Sequence, residues 1–291
     1  MEGGADPSGV RVASLHVYSV KSLGGVTVPD GWLGPCGLED DRRWLVTDPD
    51  GGFLTQRQVA RMALVAVTRR PGGLVLSLPR EGTGQGTGQG GLDVAIPPAD
   101  GRRVTVRVWR DSVPAVDAGD GAAAWLTAAL GRPCRLAYLH DTGARPADPA
   151  YAPAGSTVGF ADGFAVLVAT GASLAALNAE LPAPVPMDRF RPNLVLAGVP
   201  AWAEDTWRLI AVGPALLRIV KPCSRCVITT IDQATASVPD PREPLRTLGR
   251  LRRAKGGVMF GQNAAVVRPG RIAVGDAVTV LERGPSNLLP E

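Results

Sequence analysis

Short apolar runs separated by glycine and proline dominate the hydrophobic pattern of this chain. Residues 10–18, VRVASLHVY, alternate between apolar and polar positions and are rich in β-branched residues, which predicts a strand with one buried face. Similar short runs begin at Arg43, Met62, Gly73 and Arg103. Because turn residues separate them at close intervals, the pattern favours a β-barrel or sandwich over a doubly wound sheet.

A second β-rich block begins near Thr157. The run FAVLVAT is typical of a buried strand, and further strands are predicted by short apolar runs along the rest of the chain. These further runs are NLVLAG, TWRLIAV, LLRIV, CVITTID, NAAVVR and AVTVLE. The last third of the chain is therefore expected to be nearly all β.

Three segments have helical character. GAAAWLTAAL follows Asp120, which we expect to cap the helix, and ends at Gly131. SLAALNAEL is predicted as a short helix capped by Ser173, and PLRTLGRLRR as another from Pro244. The sequence thus predicts a mainly β protein with a few helices, of the α+β class.

Two segments have the composition of loops. Residues 141–156 are rich in proline, alanine and glycine without apolar periodicity, and we interpret them as a linker or long surface loop. They divide the chain into two predicted β-rich domains, at 10–140 and 157–284. The repeat GTGQGTGQGG at 82–91 is predicted to be a flexible hairpin loop.

Composition places the chain among ordinary globular proteins. Hydrophobic residues make up 45% and charged residues 20%, and the net charge of +4 gives little reason to expect a nucleic-acid partner. The first residues show no secretory signal, and no run approaches the roughly 18 apolar residues of a membrane span. The four cysteines, Cys36, Cys134, Cys223 and Cys226, are too few and scattered for a disulfide framework. We therefore expect a cytoplasmic protein with reduced thiols and no membrane partner.

The most informative segment is KPCSRCVITTID, where Cys223 and Cys226 form a C-x-x-C pair. A structural zinc site would need two more ligands, and the other cysteines and histidines stand alone. A thioredoxin-like dithiol would precede a helix, whereas here a strand is predicted. Both cysteines could also be small core residues. Alternatively, Cys226 is a thiolate ligand to a soft transition metal, with Lys221 and Arg225 as nearby cations.

The ordered motifs of the chain resemble those of the MOSC family over residues 10–284. They are YSVKSL at 18–23, GLEDDRRWLV at 37–46, FLTQRQ at 53–58, FRPNLVL at 190–196, AEDTW at 203–207, CSRCVITTID at 223–232, FGQN at 260–263 and the terminal GRIAVGDAVTVLE. The resemblance implies an N-terminal β-barrel domain followed by a MOSC domain. The family includes the amidoxime-reducing components and bacterial enzymes that reduce N-hydroxylated compounds.

The resemblance also implies a molybdenum–pterin (molybdopterin) cofactor and assigns residues to it. Cys226, the cysteine after Ser224 and Arg225, corresponds to the metal ligand and would be the catalytic residue. Lys21 and Ser22 of VKS, together with Arg42, correspond to contacts of the cofactor phosphate. A phosphate needs charge-assisted donors, which a lysine and a planar guanidinium supply.

Further positions correspond to contacts of the pterin. Arg191 and Asn193 come from FRPN, and Arg57 of TQRQ either approaches the cofactor or braces the barrel. The family's loop resembling Ser-Asp-Thr-Ser is reduced here to FADGF, leaving Asp162 and Gly163. TQRQ is followed by Val59-Ala60, where the family has Pro or Glu-Pro.

These assignments imply an oxidoreductase that removes oxygen from small N–O substrates. The chain reaches Glu291 without a cysteine-rich iron–sulfur motif, so we expect a separate electron-transfer protein of the ferredoxin or flavoprotein type. An alternative is a cofactor carrier or a sulfur-transfer module with a persulfide on Cys226. A specialised biosynthetic enzyme using the same site is a third possibility.

Overall fold

A computed structural model describes residues 9–79 and 90–288. Most of the predicted loop at 82–91 lies outside these residues, and so do residues 1–8, which belong to the N-terminal segment in which no secretory signal is predicted. Within them the protein is mainly β with three α-helices, which confirms the predicted α+β class.

The first half of the chain contributes eleven strands and one helix. They are β1 (Arg11–Val17), β2 (Val26–Val28), β3 (Asp30–Gly34), β4 (Gly37–Leu38), β5 (Trp44–Thr47), β6 (Ala66–Arg70), β7 (Gly73–Ser77), β8 (Leu92–Ala95), β9 (Arg103–Val108), β10 (Asp111–Asp117), α1 (Asp120–Leu130) and β11 (Arg135–Tyr138).

The second half contributes eight strands and two helices. They are β12 (Val166–Thr170), α2 (Gly171–Asn178), β13 (Leu194–Ala197), β14 (Trp207–Val212), β15 (Ala215–Ser224), α3 (Leu245–Leu251), β16 (Arg253–Ala254), β17 (Gly257–Arg268), β18 (Gly270–Ala273) and β19 (Val278–Arg283).

The largest sheet combines strands from both halves. Its order is β19-β14-β15-β17-β12-β13-β1-β2, with β16 paired to β17. Strand β1 lies antiparallel to both β13 and β2. An irregularity in its pairing between Val12 and Ser14 shifts the alternation, so that Val12, Leu15 and Val17 are all buried in the main core. Because this sheet joins the two segments by backbone hydrogen bonds, the division at 10–140 and 157–284 stays a prediction.

A small sheet ties the same two halves together a second time. Strand β18 pairs with β3, and β3 pairs with β4. Strand β4 closely approaches the residue before β12. Gly37 has a φ of 100°, and a Cβ there would collide with the carbonyl oxygen of Ala165. Only glycine fits this approach.

Two further sheets belong to the first half. One has the order β5-β11-β10-β9 and the other the order β6-β7-β8. Between them lies a core in which Met62 and Leu126 are fully buried and the Trp44 and Tyr138 rings lie 4.6 Å apart. These sheets hold the hairpin of β9 and β10, whose tip reaches the site described below.

The three helices lie where the sequence predicts them, but two caps differ. Gly119, not Asp120, is the N-cap of α1, and Asp120 lies in the first turn, where it pairs with Arg135. Thr170 rather than Ser173 caps α2, because the Thr170 hydroxyl accepts the Ser173 amide hydrogen and frees the Ser173 hydroxyl to bind Glu204.

Two predicted strands are wrong or partly wrong. The run CVITTID is a 3₁₀ turn at Val227–Thr230, in which Thr229 and Thr230 donate their hydroxyls to the carbonyls of Cys226 and Val227. Such bonds to the residue three positions earlier compete with strand pairing. The run from Met62 begins as a 3₁₀ turn at Ala60–Leu64, and only β6 is extended.

The segment at 141–156 has no helix or strand, as predicted, yet it is packed against the rest of the protein. Arg145, Ala147 and Ala152 are buried in it. Of the residues that the structure describes, none forms a helix long and apolar enough to cross a membrane.

Candidate functional site

One cavity of about 320 Å³ brings together all the site residues predicted from the sequence. Its lining includes Lys21, Ser22, Arg42, Arg57, Asp162, Gly163, Arg191, Asn193, Ser224, Arg225 and Cys226. They come from both halves of the chain and lie mostly in the segments just before or just after strands. Their grouping is a property of the fold, while their individual roles stay predictions.

Lys21 is almost fully buried at one side of this cavity. Its ammonium donates to the carbonyl of Phe160 at 2.8 Å and to the Asp162 carboxylate at 2.5 Å. Burial lowers the pKa of Lys21, although Asp162 opposes the shift. A desolvated cation of this kind has a strong electrostatic attraction for an anion that enters the cavity.

Asp162 carries the negative charge of the cavity. Partial burial would raise the pKa of its carboxyl, but Lys21 and Arg57 outweigh that effect and hold it well below the usual range. The Trp109 indole also donates to this carboxylate at 3.2 Å. Next to it, a Cβ on Gly163 would meet nothing within 4 Å, so the loop leaves open space there.

Two guanidinium groups lie over the ring of the buried Tyr18. Those of Arg42 and Arg191 are 4.4 Å and 4.2 Å from the ring centroid. Arg42 is fixed by Asp41 at 2.6 Å and donates to the carbonyl of Arg191 at 3.2 Å. Burial raises the pKa of Tyr18 to about 12, so the ring is neutral at physiological pH.

Arg191 is less completely bonded than Arg42. Its Nη2 atom is buried and has no hydrogen-bond partner among the described residues. Burial lowers the pKa of Arg191 to about 10. A buried donor without an acceptor is costly in a native protein, which points to a ligand that supplies the acceptor.

Asn193 lines the cavity, but its amide is committed to the protein. Its Oδ1 accepts from Arg42 and from the backbone of Leu167, both at 3.1 Å, and its Nδ2 donates to the carbonyl of His16 at 3.1 Å. Ser224 likewise donates to the carbonyl of Gly256 at 2.9 Å. In this arrangement both side chains hold the walls of the cavity in place.

Cys226 follows β15 and is half-buried at the cavity rather than packed in an apolar core. The Arg57 Nη2 atom lies 3.1 Å from its sulfur. Arg225 makes a similar contact, with its Nη1 atom 2.9 Å from the sulfur of Cys223. Each sulfur of the C-x-x-C pair therefore faces a guanidinium group.

The other metal-binding interpretation of this pair finds no further ligands nearby. Within residues 9–79 and 90–288, no group of three or more His, Cys, Asp or Glu side chains is placed to hold a metal ion. A four-ligand zinc site would need such a group.

Sequence reasoning missed two residues that shape the site, Trp109 and Arg145, and named a third, Lys221, without placing it in the cavity. Trp109, at the tip of the β9–β10 hairpin, has its ring 4.9 Å from the Arg57 guanidinium. Arg145 is buried and donates to the carbonyls of Gly159, Ala161 and Asp162. Lys221 lines the cavity as well, although the sequence suggested only that it was a cation near the cysteines.

The donors of this cavity fit a cofactor with a terminal phosphate and a sulfur-bound metal. Among its described lining residues, six cations face one carboxylate, that of Asp162. The unpartnered nitrogen of Arg191 and the buried Lys21 call for an anion with several acceptor oxygens. Cysteine sulfur is a soft ligand type, and the Cys226 sulfur is half-buried at this cavity rather than enclosed in a core.

Comparison with known proteins identifies two family models in the chain. The MOSC N-terminal beta barrel domain matches residues 9–133, and the MOSC domain matches residues 155–279. Mitochondrial amidoxime-reducing component 1 of Mus musculus is 33% identical over 287 residues, covering 93% of this chain and 82% of the relative. The component 1 of Homo sapiens is 33% identical over 290 residues, with the same shares.

Mitochondrial amidoxime reducing component 2 of Bos taurus is 31% identical over 287 residues, covering 92% of this chain and 82% of the relative. Among solved structures, the YUAD protein from Bacillus subtilis matches with a TM-score of 0.40 and 12% identity. That match covers 92% of this chain and 93% of the YUAD chain.

Proposed function

The chain belongs to the MOSC family, and on that premise we propose that it is a molybdenum cofactor-dependent oxidoreductase that reduces N-hydroxylated small molecules. Two relatives that are each 33% identical to this chain are named for amidoxime reduction, and an amidoxime contains an N–O bond. The observation that carries the proposal is the cavity that joins the Cys226 sulfur to Lys21, Arg42 and the unpartnered Arg191.

The lining residues divide into those that would hold the phosphate of the cofactor and those that would hold its metal. Lys21, Ser22 and Arg42 lie on the first half of the chain and would bind the phosphate by charge-assisted hydrogen bonds. Arg191 would give its free Nη2 donor to the pterin or its phosphate. Cys226 would bind the metal, with Arg57 orienting its sulfur at 3.1 Å.

When bound, the cofactor supplies a two-electron redox centre. Reduction of an N-hydroxyl group consumes two electrons and two protons, cleaves the N–O bond and releases one water. Asp162 is the acid among the described lining residues, and its lowered pKa keeps it ionised at neutral pH. It therefore acts as a hydrogen-bond acceptor that orients Lys21 and Trp109, rather than as a proton donor.

The electrons must come from outside the cavity. The described lining residues offer no second redox group apart from the two cysteines. We therefore propose a separate electron-transfer protein of the ferredoxin or flavoprotein type as the donor.

The test is metal analysis and turnover of protein produced in a molybdenum-replete host. We expect molybdenum and a pterin in equal amounts, and reduction of benzamidoxime to benzamidine with reduced methyl viologen as the electron source. The C226A variant should lose turnover, whereas C36A, which removes a thiol outside the cavity, should retain it.

Three outcomes would contradict the proposal. Retained turnover in C226A would remove the thiolate from the reaction. Zinc near one per chain without molybdenum would favour a structural metal. Transfer of cofactor or of persulfide sulfur to an apo-enzyme, without N–O reduction by any donor, would favour the carrier or sulfur-transfer alternative.

A further inference from the structure

A second cavity adjoins the cavity that contains Cys226, which is called the cofactor cavity from here on. Its volume is about 990 Å³, at the upper end of the range of small-molecule sites. The two cavities share Asp162, Gly163, Phe164 and Lys221 in their linings. A compound in the second cavity would therefore lie one side chain away from the cavity that contains the Cys226 sulfur.

Trp109 forms part of the wall of this second cavity and is held in place from several sides. Its indole lies over the Arg57 guanidinium, donates to Asp162 and contacts the edge of Phe53 at 5.1 Å between centroids. Its backbone has a φ of 58°, and 52% of the residue is exposed. An exposed but fixed aromatic ring offers a flat surface that loses little entropy when a ligand binds.

Arg145 fixes another part of the wall and ties it to the hairpin. This buried side chain pairs with Asp111 at 2.8 Å and donates to three carbonyls of the loop at 159–162. Pro146, Pro149 and Pro153 also line the cavity. Because proline restricts the backbone and Arg145 anchors the loop, the cavity is formed before a ligand arrives.

Lys221 is the cation with free capacity where the two cavities meet. Its ammonium lies 4.2 Å from the Tyr151 ring centroid and 5.4 Å from that of Phe164. In the described part of the chain no carboxylate lies within ion-pair distance of it, whereas Asp111 and Asp162 are paired with Arg145 and Lys21. An anionic group of a ligand can therefore bind Lys221 without breaking an ion pair.

We propose that this second cavity binds the organic body of the substrate and favours N-hydroxylated compounds that have a planar aromatic ring and a carboxylate. The ring would lie against Trp109, and the carboxylate would bind Lys221. The inference rests on the proposed reductase function and names its substrate class.

The test is equilibrium binding of benzamidoxime and its 3- and 4-carboxy derivatives to the cofactor-loaded protein by calorimetry. Without an electron donor the compounds are not consumed. We expect one carboxylated compound to bind about tenfold more tightly than benzamidoxime, which corresponds to one charge-assisted contact. K221M should abolish this preference, so that within that variant the carboxylated compounds bind no more tightly than benzamidoxime.

The aromatic contact is tested separately. W109L should weaken all three compounds about tenfold, while W109F should retain most of the affinity because it keeps a ring. K255M and W32L provide matched controls at exposed positions outside both cavities and should bind like the wild type. Molybdenum content is measured for each variant, so that loss of cofactor is separated from loss of binding.

Equal affinities for carboxylated and unsubstituted compounds in the wild type would overturn the proposal, as would a preference that survives in K221M. A nucleotide released with the cofactor in proportion to molybdenum would also overturn it, because the cavity would then hold a cofactor extension. If the compounds bind with the expected preference but no electron donor supports turnover, the proposed reductase function is wrong and the proposed binding site stands. If the protein reduces N-hydroxylated compounds but shows no preference for the carboxylated ones, the proposed substrate class is wrong and the reductase function stands.

Discussion

Three residues of the cofactor cavity have left-handed backbone conformations that favour glycine. The φ angles of Ser22, Arg42 and Arg191 are 67°, 48° and 55°. Each such residue costs about 1 kcal/mol or more, and the conformation persists where function or packing requires it. At this cavity it directs cationic and hydroxyl side chains toward a common point.

Arg191 is expected to lower the stability of the cofactor-free protein. Its buried Nη2 atom lacks an acceptor, so R191M should raise the free energy of unfolding of the cofactor-free protein by about 1 kcal/mol. The same change should lower the amount of cofactor that copurifies. Urea unfolding and molybdenum analysis measure the two effects, with the exposed Arg268→Met as the control. A loss of stability in R191M would contradict this prediction.

The stability gain of R191M should also depend on pH. Burial lowers the pKa of Arg191 to about 10, so the folded state disfavours the charged form below that pH. The cost falls as pH rises through 10, because the folded protein then releases the proton before the unfolded chain does. The difference in unfolding free energy between R191M and wild type should therefore shrink from pH 8 to pH 11. A constant difference would show that desolvation of the charge is not its cause.

The loop at 159–163 is the element that brings Asp162 and Gly163 to the cavity, and it has no regular hydrogen-bonding of its own. Arg145 supplies that bonding through the carbonyls of Gly159, Ala161 and Asp162. The segment that the sequence predicts to be a linker is thus the part of the chain that fixes this loop.

Replacement of Arg145 by methionine should release this loop. R145M leaves three carbonyls without their donor, so we expect a loss of about 2 kcal/mol in the free energy of unfolding. Cofactor retention should also fall. The exposed R107M on β9 is the matched control, and chemical denaturation is the measurement. An R145M protein as stable as R107M would show that the loop is held by other contacts.

The sequence predicted the strands better than it predicted the turns that connect them. Alternation in β1 and the apolar runs of β12 and β15 predict strands because burial of one or both faces determines these patterns. The turn after Cys226 was missed because its threonines bond to nearby carbonyls, which apolar periodicity does not register.

The candidate site shows the same division. Residues inside short motifs, such as Lys21 and Cys226, could be found because the motifs resemble those of a family. Trp109 and Arg145 could not be found in this way, because their contacts join segments about 35 to 55 residues apart through side-chain atoms. The available signal for Trp109 was an aromatic residue at the end of the apolar run that begins at Arg103.

At the scale of the molecule, two sheets cross the boundary between the predicted domains. Because β1 pairs with β13 and β18 pairs with β3, we expect the chain to unfold in one cooperative transition. Differential scanning calorimetry should give equal calorimetric and van 't Hoff enthalpies. Two separate transitions, or a folded fragment 157–284 produced alone, would contradict this expectation.

The position of β1 has a consequence for how the protein is made. Its neighbour β13 lies roughly 180 residues later in the chain, so β1 leaves the ribosome well before β13 is made. At about 5–20 residues per second, translation leaves one edge of β1 unpaired for on the order of ten to forty seconds. During that time its apolar side chains are open to chaperones and to neighbouring nascent chains, so slower growth at low temperature with ample chaperone should improve the yield of native protein.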